Sequence, residues 1–154
     1  MPTIQEMRSR LDELRGLYLR ATPAQRYKVA LDRVTVPSSL PNLLIQKVSA
    51  VEGFSRSMAL EAERRVGKRV EDAYAPLRYL NGVVLIRDHI APRFRTDPEH
   101  LFDPDDWDLF ALAVEYRNFL VHEASSLRAG YCDAMGAACE RVLRKLAEVS
   151  GVSP

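Results

Sequence analysis

Arg117, Asn118 and His122 stand in the segment EYRNFLVHEAS, residues 115–125, as a polar trio within a largely apolar run. Histidine is the one side chain whose ordinary titration falls near neutrality, so it can accept or deliver a proton. Arginine keeps its charge and matches phosphate oxygens with a two-pronged donor geometry. Together they form a minimal set for cleaving RNA without a metal. The imidazole takes the 2′-hydroxyl proton or protonates the leaving oxygen, and the guanidinium steadies the pentacoordinate phosphate. Asn118 would orient the phosphate or the imidazole. A single histidine does not readily act as both base and acid, so a two-fold dimer presenting two copies would help.

The spacing itself is weak. It recurs at Arg95 and His100, in a proline-containing acidic loop with nothing to hold the two side chains. On a straight helix, Arg117 and His122 lie about 140° apart and do not share a face. Asn118 and His122 do share one, together with Glu115. For Arg117 to meet His122, the helix must end or distort at residues 119–121, or the arginine arm must wrap round. The Ala-Ser-Ser at 124–126 is consistent with such an end. The plain structural alternative is that His122 sits at a helix C-terminus, where a cation suits the dipole, while Arg117 pairs with a carboxylate.

The elements that must carry these residues read as helices throughout. Ile4, Met7, Leu11, Leu14, Leu17 and Tyr18 repeat at helical spacing and mark a first helix. Thr22 and Pro23 open a second, running to about Val34, before the break VPSSLPN. A third spans about Asn42 to Val66, with Leu44, Val48, Val51, Phe54 and Met58 as its stripe and Gly67 as its cap. A fourth spans about Val70 to Ile90, with bending or a break expected from Pro76 and Gly82. Residues 91–104 read as a loop. Asp103 and Pro104 start a fifth helix, whose first turn is acidic. It carries two apolar lines, Trp107–Phe110–Val114–Val121 and Leu109–Leu112–Tyr116–Phe119, as expected of a central helix or one facing both a core and a partner chain. A sixth spans about Leu127 to Val149. The sum is a single all-α domain, 1–154, with an N-terminal helical extension, 1–36, ahead of an up-and-down four-helix core, 42–150.

RNFLVH after an apolar helix, between the third and fourth helices of a four-helix core, and VSAVEGFSRSM on the first core helix, resemble the HEPN superfamily. That family's signature is Arg, four to six residues, then His, often with Asn after the Arg. The resemblance covers about residues 42–150. It implies a helical bundle that usually dimerises, and in many members a metal-independent endoribonuclease of toxin–antitoxin, phage-defence or RNA-processing systems. It implies Arg117 and His122 as the catalytic pair, Asn118 as the polar residue beside them, and Glu52 as the polar residue of the first core helix, facing the cleft. In toxins paired with nucleotidyltransferase antitoxins a modified Tyr stands two residues after the His. Ala124 holds that place here, so regulation by that route is not expected.

Composition sets the outer bounds. A net charge of +1 excludes a global field for nucleic acid, so any basic patch must be local. The local candidate is ERRVGKRVED, where Arg64, Arg65, Lys68 and Arg69 would track an RNA backbone or simply form the solvated ends of two helices. Glu52, within an apolar stripe, is either a paired core carboxylate or a cleft residue. The 18 Arg against four Lys fit a GC-rich coding genome as readily as a phosphate-binding role. Cys132 and Cys139, about 10 Å apart along a helix, are too distant for a mutual disulfide and read as small buried thiols. No cofactor, metal cluster or membrane span is expected. The N-terminus carries no signal-peptide pattern, and a cytoplasmic location is expected.

Two functions follow as expectations. The first is a homodimeric, metal-independent endoribonuclease with RNA as substrate and an antitoxin or operon-encoded protein as possible partner. The second is a non-catalytic helical adaptor or dimerisation module that binds a protein or nucleotide. The enzyme should hold residues 117 and 122 in one solvent-reachable cleft, near their symmetry copies. The adaptor should bury Arg117 in an ion pair and leave His122 apart from it.

Overall fold

The computed structural model describes residues 1–123 and 127–153; the Ala-Ser-Ser at 124–126, including Ala124, lies outside the described residues. The protein is all-α, with no strand among the described residues. No helix among them is long and apolar enough to cross a membrane. Helix α1 spans Ile4–Arg20, α2 Pro23–Val34 and α3 Pro41–Arg65. Helix α4 spans Val70–Leu77, and a short α5, Gly82–Val84, runs into a π-helical turn, Leu85–Ile90, and a 3-10 turn, Ala91–Phe94. Then come α6, Pro98–Leu101, α7, Pro104–Glu123, and α8, Ala129–Ser150.

The helix starts follow local chemistry. Thr3 with Glu6, and Thr22 with Gln25, close reciprocal capping boxes that satisfy the first free N–H groups of α1 and α2. At α7 the Asp103 carboxylate accepts from the Asp105 N–H at 2.9 Å. Gly151 ends α8 in the left-handed conformation, at φ 68°.

One core joins α2, α3, the π turn, α7 and α8. Phe54 of α3, Phe110 of α7, and Leu143 and Leu146 of α8 are fully buried within it. Helix α2, which the sequence places in an extension, contributes Tyr27, Ala30 and Val34 to this core. Trp107 stacks on Phe102 at 5.5 Å between ring centroids, closing one end. Cys132 and Cys139 are free and buried, and burial pushes the Cys139 thiol up to about 12, far from the reactive thiolate.

The bend expected in the fourth helix is a full break. Helix α4 stops at Leu77, and Arg56 of α3 donates to the freed carbonyls of Leu77 (3.1 Å) and Leu80 (2.8 Å). Asn81 then caps the restart, accepting from the Val84 N–H at 3.0 Å.

Helix α1 stands apart. None of its residues is buried, and Ile4, Met7, Leu11, Leu14 and Leu17 are 45–70% exposed. It is held at its C-terminal end. The Tyr18 hydroxyl donates to the Gly53 carbonyl at 3.2 Å, and Arg26 lies 4.0 Å over the Tyr18 ring.

Candidate functional site

Helix α7 runs unbroken through Phe119, Leu120 and Val121 to Glu123. The distortion that would bring Arg117 round to His122 is absent there. Arg117 lies on the face that carries the buried Phe110, Ala113 and Leu120, whereas Asn118 and His122 are exposed one turn apart on another face.

The core-facing position of Arg117 gives it a partner. Its two terminal nitrogens donate to the two carboxylate oxygens of Glu52, at 2.9 and 2.7 Å. The side chains of Arg117 and Glu52 are 16% and 10% exposed. Such a fork-to-fork pair is charge-assisted and fixes the guanidinium plane. Arg117 Nε donates to Asn118 Oδ1 at 2.9 Å, so the same guanidinium also touches the residue that begins the His122 face. Three of its five N–H donors are thereby engaged, leaving two.

Glu52 has a second duty. Its Oε1 also accepts from the Gly82 backbone N–H at 3.0 Å, just beyond the break after α4. A Cβ on residue 82 would lie 2.8 Å from the Phe110 ring and 3.0 Å from Glu52 Cγ. Glycine is required here because the backbone must approach the carboxylate closely. Glu52 thus ties α3, α5 and α7 together at one point. Of the two readings open to it, the structure gives the paired core carboxylate.

The basic cluster is elsewhere and is ion-paired. Arg64 donates to Glu61 at 2.9 and 2.7 Å, and Arg65 reaches the same carboxylate at 3.3 Å. Arg69 lies 3.9 Å from Glu71. Glu61 holds its charge firmly, because the hydrogen bond from Arg64 pulls its carboxyl below the usual range. Arg64 also lies about 18 Å along α3 from Glu52. The structure therefore brings together Arg117, Asn118 and Glu52, and does not bring Arg64, Arg65 or Arg69 to them. In the second copy of the spacing, His100 Nδ1 lies 2.6 Å from Asp97 Oδ1 on the exposed surface, while Arg95 ends a turn in the left-handed conformation at φ 54°.

Sequence reasoning missed the Gly82 N–H and the role of Arg56. Only the Asn81-Gly82 dipeptide signalled that the chain does something special at the former. No protein-family model, curated protein or solved structure matches the chain.

Proposed function

We propose that the chain is the protomer of a HEPN-like homodimer that cleaves RNA without a metal, at a site where two subunits present their Asn118–His122 faces to one phosphodiester. The observation that carries this reading is the bond from Arg117 Nε to Asn118 Oδ1. It links a clamped guanidinium to the exposed face on which His122 stands one turn further on.

In this mechanism one His122 takes the proton from the ribose 2′-hydroxyl, and that oxygen attacks phosphorus. The His122 of the partner subunit protonates the departing 5′-oxygen. The products are a 2′,3′-cyclic phosphate and a 5′-hydroxyl. The two remaining N–H donors of Arg117, with the Asn118 amide, would hold the non-bridging oxygens as charge builds. Clamping by Glu52 keeps the donors preorganised, at the cost of screening their charge.

The Glu52 pair favours a second reading. A guanidinium already neutralised by a carboxylate is a structural tie, and it meets the criterion set for an adaptor. On that reading the exposed apolar faces of α1 and α7 are the functional surfaces. Cleavage of single-stranded RNA in EDTA separates the two. The enzyme reading expects cyclic-phosphate products from the wild type and at least about a hundred-fold slower cleavage by His122→Ala. Equal rates, or no cleavage by either protein, would leave the adaptor.

A further inference from the structure

The chain carries two apolar stripes, one open and one half covered, and their spacing is the same. On α1, Ile4, Met7, Leu11 and Leu14 repeat as alternate threes and fours and are 45–70% exposed. On α7, Leu109, Leu112, Tyr116 and Phe119 repeat identically, with Leu109 and Tyr116 packed partly against the core. Leu112 is 41% and Phe119 47% exposed, and this stripe borders a groove shared with Tyr131 and Met135 of α8. Alternating threes and fours are the a and d positions of a heptad, the seam by which one helix packs along another.

The flanks differ in sign. Beside the α1 stripe, at the e positions, stand Arg8 and Arg15; beside the α7 stripe, at the g positions, stand Asp108 and Glu115. All four are exposed, and each pair is seven residues apart, about 10.5 Å along its helix. We propose that α1 of one copy of this chain packs along α7 of a second copy, with the two helices parallel. The register that stacks Ile4 on Leu109 also stacks Met7 on Leu112, Leu11 on Tyr116 and Leu14 on Phe119. The same register sets Arg8 against Asp108 and Arg15 against Glu115, as g-to-e′ pairs. The reverse direction would pair Glu115 with Arg10 and turn Arg15 toward Asp106, a carboxylate that Arg141 already holds at 2.6 Å.

Like-with-like pairings do worse. Two α1 helices set Arg10 against Arg15 when parallel, and Arg8 against Arg8 and Arg10 against Arg10 when antiparallel. Two antiparallel α7 helices set Glu115 against Glu115 at the axis. Like charges at these positions oppose the pairing and opposite charges select it. Reciprocal exchange of α1 about a two-fold axis closes the assembly as a dimer. A membrane surface is the poorer partner for α1. Its outer face carries Glu6, Asp12 and Glu13, and its apolar stripe before Tyr18 holds no aromatic anchor.

This contact would join the subunits whether or not the protein cleaves RNA. Its test is the mass of the full chain in solution, by light scattering or sedimentation without RNA. The wild type is expected to be dimeric, with Leu11→Glu and Leu112→Glu each monomeric at the same concentration and normally helical. Reversal of either flank, Arg8→Glu with Arg15→Glu or Asp108→Arg with Glu115→Arg, should weaken the dimer at least about ten-fold. Combining both reversals should restore it. A monomeric wild type, a dimer indifferent to Leu11→Glu, or reversals whose effects add instead of cancelling would overturn the proposal. So would a wild type that is monomeric in buffer and binds phosphatidylserine vesicles through Leu11, which would reassign α1 to a membrane surface.

Discussion

Glu52→Ala is expected to be among the most destabilising single substitutions in this protein, by about 3 kcal/mol, with a fall in melting temperature of roughly 10 °C. Removal of the carboxylate leaves the Arg117 guanidinium largely buried with its charge uncompensated. It also orphans the Gly82 N–H, which donates to Glu52 inside the core. Partial exposure of the pair keeps the figure near the lower end of what breaking a buried ion pair costs. The pair can be separated from the packing by a double-mutant cycle. Glu52→Ala combined with Arg117→Met should lose clearly less than the sum of the two single losses, because no charge is then stranded. Thermal unfolding of the four proteins measures the coupling, and additive losses would show that Arg117 and Glu52 act independently.

If the chain cleaves RNA as proposed, Arg117→Lys is expected to slow that cleavage by about 10²–10³-fold while the helical fold persists. Lysine keeps the positive charge, but it offers one nitrogen in place of a planar fork. It can bond Glu52 or lean toward Asn118, and it cannot span both as Arg117 does with contacts of 2.7–2.9 Å. The loss should fall on kcat, because the donors act on charge that develops in the transition state. Steady-state kinetics with a fluorogenic oligoribonucleotide, alongside a thermal melt, separate this loss from simple unfolding. Unchanged kcat in a folded Arg117→Lys protein would mean that the guanidinium is a tie between helices and nothing more.

Much of the fold was legible because its signals are local. Thr22 with Pro23 and Asp103 with Pro104 announce helix starts within a few residues, and α2 and α7 begin there. The two apolar lines of α7 were visible as spacing. Their unequal fate was not: Phe110 and Val114 enter the core, whereas Leu112 and Phe119 stay half exposed. Periodicity tells which residues share a face, and only tertiary packing decides which face is covered. The same limit applies to α1, whose stripe reads as core spacing, yet Tyr18 packs against the core while Ile4, Met7, Leu11, Leu14 and Leu17 stay exposed. The break after Leu77 depends on Arg56, whose contacts with Leu77 and Leu80 span 21 and 24 residues. The Glu52–Arg117 pair spans 65 residues. Each half was legible separately, as a carboxylate in an apolar stripe and an arginine in need of one, yet nothing in local pattern joins them.

The proposed cleavage needs two copies of His122 at one scissile linkage. The most direct test is to exchange subunits of wild type and His122→Ala in equal amounts and follow RNA cleavage in EDTA. If each site needs both imidazoles, mixed dimers are dead and activity falls to about a quarter of that of the same total concentration of wild type. Activity that falls only to about half, in proportion to the wild-type subunits present, would mean that each subunit works alone and would contradict the shared site.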